Sequence, residues 1–276
     1  ITLILLAIII SFLIKEESRE LTQQKNTYLW SDWFHQDKDV LIVLGNYYFF
    51  ETPFGNRRYH FIRDQLINSD EDFAAFLEEY PSYKDLYRNT HNKYLDQSIP
   101  FCLSYIVGSF VLHNKEFKLK LSSEVLPEDI RNNNIIFIGP YKCLDIFTEL
   151  TKNLHFEYQG ESVTLNFYED NSKNVLSFPF RNTGKEIRHD HAMVVKVAGI
   201  YNNEFIFFTS YHHFGNIAAV KQFTINNSNE IMKQLKSNYF EALFEIEGVN
   251  IARMDLNIKL LHYYPLDSDF KIGLGE

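Results

Sequence analysis

Two kinds of hydrophobic run organise this chain. The first is continuous and closed by glycine: Val40-Leu41-Ile42-Val43-Leu44-Gly45 and Ile135-Ile136-Phe137-Ile138-Gly139. A strand covered on both faces has no polar side and reads this way. His191-Ala192-Met193-Val194-Val195-Lys196-Val197 and Glu204-Phe205-Ile206-Phe207-Phe208-Thr209 repeat the pattern, joined through Gly199 and Asn202-Asn203. The second kind alternates. Phe117 to Leu121 sets Phe and Leu against Lys118 and Lys120, which predicts a half-exposed strand. Tyr47–Phe50 and Tyr59–Ile62 are short aromatic strands around the turn chemistry of Thr52-Pro53-Phe54-Gly55-Asn56. Residues 156–180 alternate in short strands about a turn at Glu169-Asp170-Asn171, and Tyr239–Val249 and Leu256–Tyr264 are long enough for an antiparallel closing pair.

Helices are predicted between these strands. Ser69 can cap a helix whose first turn is Asp70-Glu71-Asp72, whose apolar face is Phe73, Phe76 and Leu77, and which Pro81 stops. Further helices are expected over Tyr94–Val111, bent or begun at Pro100, and over Leu126–Ile130. Cys143–Leu154 carries Leu144, Phe147, Leu150 and Leu154 at helical spacing, and Asn216–Phe223 and Asn229–Lys236 complete the set. Buried strands alternating with helices imply an α/β fold, with a mostly parallel sheet flanked by helices. Its core strands lie near 40–44, 117–121, 135–139, 191–197 and 204–209, with Ile136 fully buried. The strand groups fit either two lobes, the second about 117–237 and arranged like a periplasmic binding protein, or one large sheet.

Residues Ile1–Ile14 are apolar except for Thr2 and Ser11. Fourteen helical residues reach about 21 Å, short of a bilayer core of about 30 Å. The chain opens on Ile rather than Met, so we read this stretch as the C-terminal part of a transmembrane helix. A signal peptide would be followed by a small-residue cleavage site, whereas Lys15-Glu16-Glu17-Ser18-Arg19-Glu20 follows here. That flank has no positive excess, which places the domain outside the inner membrane, held by a single pass. Residues 15–37 are then a juxtamembrane segment with Trp30, Trp33 and Phe34 as docking anchors. The extracytoplasmic domain spans 38–266, and 267–276 form a tail.

The composition narrows the function. Apolar residues make up 45% of the 276, with 25 Phe and 17 Tyr, enough for a substantial core. A net charge of −9, with Lys118, Lys120, Lys233 and Lys236 too sparse for a groove, argues against nucleic acid bound by this segment. Two cysteines, Cys102 and Cys143, exclude a disulfide scaffold or a cysteine-rich zinc module. Whether they pair is not fixed by spacing. His189 and His191 would share a strand face, but no HExxH or Cys-pair spacing supports a metal, and none is expected, nor any other cofactor.

Ligands in open α/β sheets collect beyond the carboxyl ends of the strands. Three such ends are readable: Gly45-Asn46-Tyr47, Gly139-Pro140-Tyr141-Lys142 and Ser210-Tyr211-His212-His213. The last two precede helices, whose free N–H groups favour an anionic or oxygen-rich group. The expected ligand-binding residues are Asn46, Tyr47, Gly139, Tyr141, Lys142, Ser210, Tyr211 and His212. No catalytic residues are expected. A competing reading is a hydrolase or transferase using His191, His212 or Cys143, and another is a protein-interaction scaffold with an aromatic surface.

The order of motifs resembles a known family. Leu126-Pro127-Glu128-Asp129-Ile130 followed by Asn134 to Lys142, and Asp190-His191-Ala192-Met193-Val194-Val195 followed by Phe208-Thr209-Ser210 and Gly215 to Thr224, are similar to segments of bacterial membrane-anchored regulators. Those proteins join a winged helix-turn-helix output module, one membrane helix and an extracytoplasmic α/β domain. The resemblance covers about residues 117–224, with weaker support from Val40–Gly45. It implies a sensor domain for a small molecule or a protein, in a signalling or transcription-regulatory protein. It brings no catalytic residues. An output module would have to precede Ile1, and Pro140 stands where the family has a small polar residue, removing one backbone donor.

Overall fold

The computed structural model describes residues 28–55, 58–64, 66–144, 146–159, 162–169, 172–179, 188–224, 234–235, 237–248 and 256–274. The expected membrane segment and most of the predicted helix 229–236 lie outside them. Among the described residues no helix is long and apolar enough to cross a membrane.

The strands are β1 (Asp39–Leu44), β2 (Asn46–Pro53), β3 (Tyr59–Ile62), β4 (Arg88–Leu95), β5 (Lys118–Leu121), β6 (Asn133–Pro140), β7 (Phe156–Gln159), β8 (Ser162–Glu169), β9 (Ser172–Pro179), β10 (Arg188–Gly199), β11 (Glu204–Ser210), β12 (Phe240–Gly248), β13 (Leu256–Pro265) and β14 (Lys271–Ile272). The α-helices are α1 (Asp70–Glu79), α2 (Ile99–Leu112), α3 (Pro127–Asn132), α4 (Phe147–Thr151) and α5 (His213–Thr224).

One sheet dominates, in the order β13-β12-β10-β11-β6-β1-β5, with β14 beside β10. β5, β1, β6 and β11 run parallel. β10, β12 and β13 join antiparallel. The sheet is therefore mixed. All five expected core strands belong to it, but β10 runs against β11 and β12, a short turn at 200–203 returning it directly into β11. A reversal this short can only join antiparallel strands, whereas parallel pairing needs a crossover. β1 lies between β5 and β6, so the first strand group shares the main sheet through β1, while its β2 and β3 pair with β4 in a sheet of their own.

The alternation of each central strand separates two cores. Val40, Ile42, Ile136, Ile138, Val194, Ile206 and Phe208 face α2 and α5. Leu41, Val43, Ile135, Phe137, Met193, Val195 and Phe207 face α4 and β7. Ile136 is fully buried in the first core, as its run predicts. β7, β8 and β9 form a three-stranded antiparallel sheet, and β3, β2 and β4 form another, on which α1 packs through Phe50 and Phe73. Ser69 caps α1 as expected, its Oγ accepting from the Asp72 N–H at 3.0 Å.

Three expectations are corrected. Tyr94 and Leu95 belong to β4, and α2 starts only at Ile99, where Pro100 fits the first turn. The stretch from Cys143 to Leu154 is no continuous helix: a 3-10 turn, Tyr141–Cys143, precedes the five-residue α4. Its apolar positions pack on the sheet all the same, which is why their spacing resembles a longer helix. Trp30 and Trp33, read as docking anchors of the segment before the domain, are wholly buried in the domain's own core. The Trp30 indole stacks on Phe110 and donates to Ser109 Oγ at 2.9 Å, and the Trp33 indole donates to Glu204 Oε2 at 2.6 Å. The expected tail supplies β14, whose Ile272 is buried against the second core. Cys102 and Cys143 are both buried and form no disulfide.

Candidate ligand pocket at the strand ends

Parallel pairing brings the carboxyl ends of β1, β6 and β11 to one edge. The Gly45 N–H donates to the Ile138 carbonyl at 2.8 Å, and Ser210 stands opposite Pro140. The glycines allow an unusually close backbone approach: a Cβ on Gly139 would lie 2.8 Å from the Gly45 Cα. The three segments singled out in the sequence are thus neighbours, but their side chains do different work.

Asn46 is turned inward. Its Oδ1 accepts from Ser122 Oγ at 3.1 Å and from the Ser123 N–H at 3.2 Å, tying β2 to the chain after β5. The Tyr47 hydroxyl donates to Asp96 Oδ2 at 2.9 Å, while burial and the Asp96 carboxylate push its pKa well up. Arg63 lies over the Tyr47 ring at 5.4 Å from its centroid. Ser210 Oγ donates to the His212 carbonyl at 2.6 Å, closing the turn into α5. The His212 N–H donates to Asp190 Oδ2 at 3.0 Å.

Asp190 is the buried hub of that turn. Burial pushes its carboxyl up to about 8, while backbone donors at His212, His191, Tyr211 and Gly215 pull the other way. A side chain on Gly215 would strike the Asp190 carboxylate and Ser210, so glycine is required for close contact rather than for a turn. Sequence reading did not place Asp190 in the site; it lies among charged and polar residues, Arg188, His189 and His191, at the start of β10, where nothing local marks it as buried.

Tyr141, Tyr158 and Tyr211 form an aromatic cluster. Tyr141 stacks on Tyr158 with centroids 4.2 Å apart, and Tyr211 meets Tyr141 edge-on at 4.7 Å. The Tyr158 hydroxyl and Thr209 Oγ1 are 3.1 Å apart, and burial holds that phenol protonated.

Beside this cluster opens a pocket of about 710 Å³ on the α4 and β7 side of the sheet. Met193, Val195, Phe207 and Thr209 line it from the sheet. Tyr141, Lys142, Leu144 and Thr148 approach from one side, Phe156, Glu157 and Tyr158 of β7 from another, and Ser69 and Asp72 at the start of α1 contribute a polar portion. Of the eight expected binding residues, Tyr141 and Lys142 line this space. Gly139 shapes the backbone beneath, and Asn46, Ser210 and Tyr211 are buried in the fold.

No family profile, curated protein or solved structure matches the chain.

The two other candidate side chains lie at different strands of the sheet. Cys143 packs against Gly45 at the end of β1, and His191 lies on β10. The pocket offers apolar floor, flat aromatic wall and hydroxyl, ammonium and carboxylate groups around it, within the usual size for a small-molecule site.

Proposed function

We propose that this chain is a ligand-binding domain that recognises a small amphipathic molecule at the strand-end pocket, and that it serves as the extracytoplasmic sensor of a single-pass membrane protein in signalling or transcription regulation. The observation that carries the binding reading is the pocket of about 710 Å³ over Thr209 and Phe207, with Tyr141, Tyr158 and Lys142 beside it. Volume and mixed lining are those of sites that bury most of a small organic ligand and orient it by a few polar groups. Lys142 favours a ligand carrying a carboxylate or phosphate, and Tyr158 and Thr209 supply hydroxyls above the apolar floor. The sensor part rests on the apolar stretch Ile1–Ile14 and on the resemblance to membrane-anchored regulators. A sensor requires only that its ligand favour one of two conformations.

The test is a thermal-shift screen of the full chain against small organic acids and phosphates, followed by calorimetry on each hit. Lys142→Ala is expected to weaken an anionic hit by about tenfold or more, the loss of one charge-assisted contact. Thr209→Val is expected to weaken it less. Affinity unchanged in both variants, or a screen with no hit, overturns the pocket as the binding site.

A further inference from the structure

A second group of chemistry-bearing side chains lies outside the pocket. His189 and His191 are two apart on β10, and Glu245 and Glu247 are two apart on β12. The antiparallel register sets His189 opposite Glu247 and His191 opposite Glu245. Residues two apart on a strand, and residues directly opposed across a pair, share a face. All four therefore stand in a square on one face of the main sheet.

That face is the pocket's own. Continuing the alternation from His191 leads to Met193 and Val195, which line the pocket. At about 3.3 Å per residue, His189 lies roughly 13 Å along β10 from Met193. The square is thus separate from the pocket but on the same side of the molecule.

Three of the four groups have their donor atoms gathered. Single ligand atoms of His189, Glu245 and Glu247 all lie within 4.8 Å of one another. His189 Nδ1 is 3.2 Å from Glu247 Oε1. Two carboxylates held this close repel each other unless a cation stands between them. A zinc ion about 2.1 Å from each donor would hold tetrahedral ligands about 3.4 Å apart, so the three need to close by roughly 1 Å. Both carboxylates are on long, partly exposed side chains that can rotate to make that adjustment.

The surroundings sharpen the choice of ion. One imidazole with two carboxylates is a donor set for zinc and its transition-metal neighbours, whereas magnesium and calcium prefer oxygen alone. His191 is nearly buried against Phe178, with ring centroids 5.7 Å apart, and stands directly across from Glu245. On the far side of β12, Lys259 is paired in register with Glu245 and Asn257 with Glu247. Lys259 is the competing cation.

We propose that His189, Glu245 and Glu247 bind one divalent transition-metal ion, zinc by preference, on the sheet face beyond the ligand pocket. The three side chains come from two adjacent strands whose register is fixed by the buried pairs Met193–Leu243 and Val195–Glu241, so the backbone of the site is set before the ion arrives and only the side-chain ends close on it. Its donors are one nitrogen and two oxygens, leaving a coordination position for water or an exogenous group.

The test uses the full chain stripped with chelator and titrated with zinc chloride by calorimetry, and with cobalt chloride by visible absorption. One equivalent of zinc is expected to bind, and cobalt is expected to give the d–d bands of a low-coordinate site. His189→Ala and Glu247→Gln should each weaken zinc binding by about tenfold or more, and Lys259→Met should tighten it. His60→Ala, an exposed histidine on β3, should leave it unchanged. Circular dichroism checks folding, and the near-isosteric Glu247→Gln keeps the test valid if His189→Ala unfolds. No zinc binding up to about 1 mM, the limit of weak association, overturns the proposal. Unchanged affinity in both His189→Ala and Glu247→Gln overturns it equally.

Discussion

The two faces of the main sheet receive almost the same kind of side chain and are covered in opposite ways. Val194 and Phe208 look toward α2 and α5, two helices of 14 and 12 residues that lie against each other and against the sheet. Val195 and Phe207, their immediate neighbours in sequence, look toward a five-residue helix and a three-stranded sheet. Long helices offer a continuous apolar surface and seal their face. A short helix and a small three-stranded sheet cannot tile the same area, and the gap they leave is the pocket. The difference teaches where to look for function in a fold of this kind: on the face whose cover is made of small pieces.

The largest expected effect tests the sealed face. Phe208→Ala should destabilise the protein by about 3–5 kcal/mol, because the neighbouring helices cannot collapse onto the void. A denaturant titration giving under about 1 kcal/mol would remove one side of the comparison.

A smaller effect concerns charge beneath the sealed face. The Asp190 carboxyl is raised to about 8 in the folded chain, above its usual value near 4 when unfolded. The folded state therefore holds a proton that the unfolded state has released between about pH 4 and 8, and stability falls as pH rises through that window. The contribution is complete below about pH 4 and gone above about pH 8. His155, raised by its hydrogen bond to the buried Glu241, acts in the same direction above its ordinary value. Thermal melts at pH 5 and pH 8.5 measure the slope. Asp190→Asn should flatten most of it. A wild-type slope of the opposite sign would mean that the backbone donors hold Asp190 as an anion.

The smallest effect is the most direct. Val194→Ala and Val195→Ala delete the same atoms from adjacent, equally buried residues on opposite faces. The first leaves a closed cavity, and the second enlarges a space that is already open. Val194→Ala should cost about 1 kcal/mol more, the cavity contribution without the transfer one. Equal costs would show that the pocket face is packed as tightly as the other.

Much of this architecture is legible from composition along the chain. The runs 40–44 and 135–139 announce strands buried on both sides, and Ser69 followed by three acids announces a helix start. Direction is not legible, because a continuous apolar run looks the same in a parallel or an antiparallel pair; β10 illustrates this. Boundaries fail where apolar residues continue across them, as at Tyr94 and Leu95, which precede Ile99 without a polar break long enough to separate strand from helix. At the pocket, the strand-end rule located Tyr141 and Lys142 but not Tyr158 and Thr209, because those two meet only when β7 folds over β11. Asn46 and Ser210 have the polarity of ligand contacts and spend it on backbone and side-chain partners nearby. The His–Glu square needs the register of β10 and β12, which no local pattern contains.

The order of strands across the main sheet has a consequence for how the chain assembles during synthesis. From β5 and β1 through β6, β11 and β10 to β12 and β13, the sheet is laid from one edge to the other nearly in the order in which the ribosome releases the strands. The chief long wait is at the start, where β1 must be held until β5 and β6 emerge, and the entropy of closing such a loop grows only logarithmically with its length. Each later strand finds a finished edge to join. β14 is the exception: it comes last and completes the lane beside the end of β10 that β12 leaves open. Until Lys271 and Ile272 arrive, Ala198 and Gly199 keep unpaired backbone groups at the edge of the growing sheet, a place where a second nascent chain could pair instead.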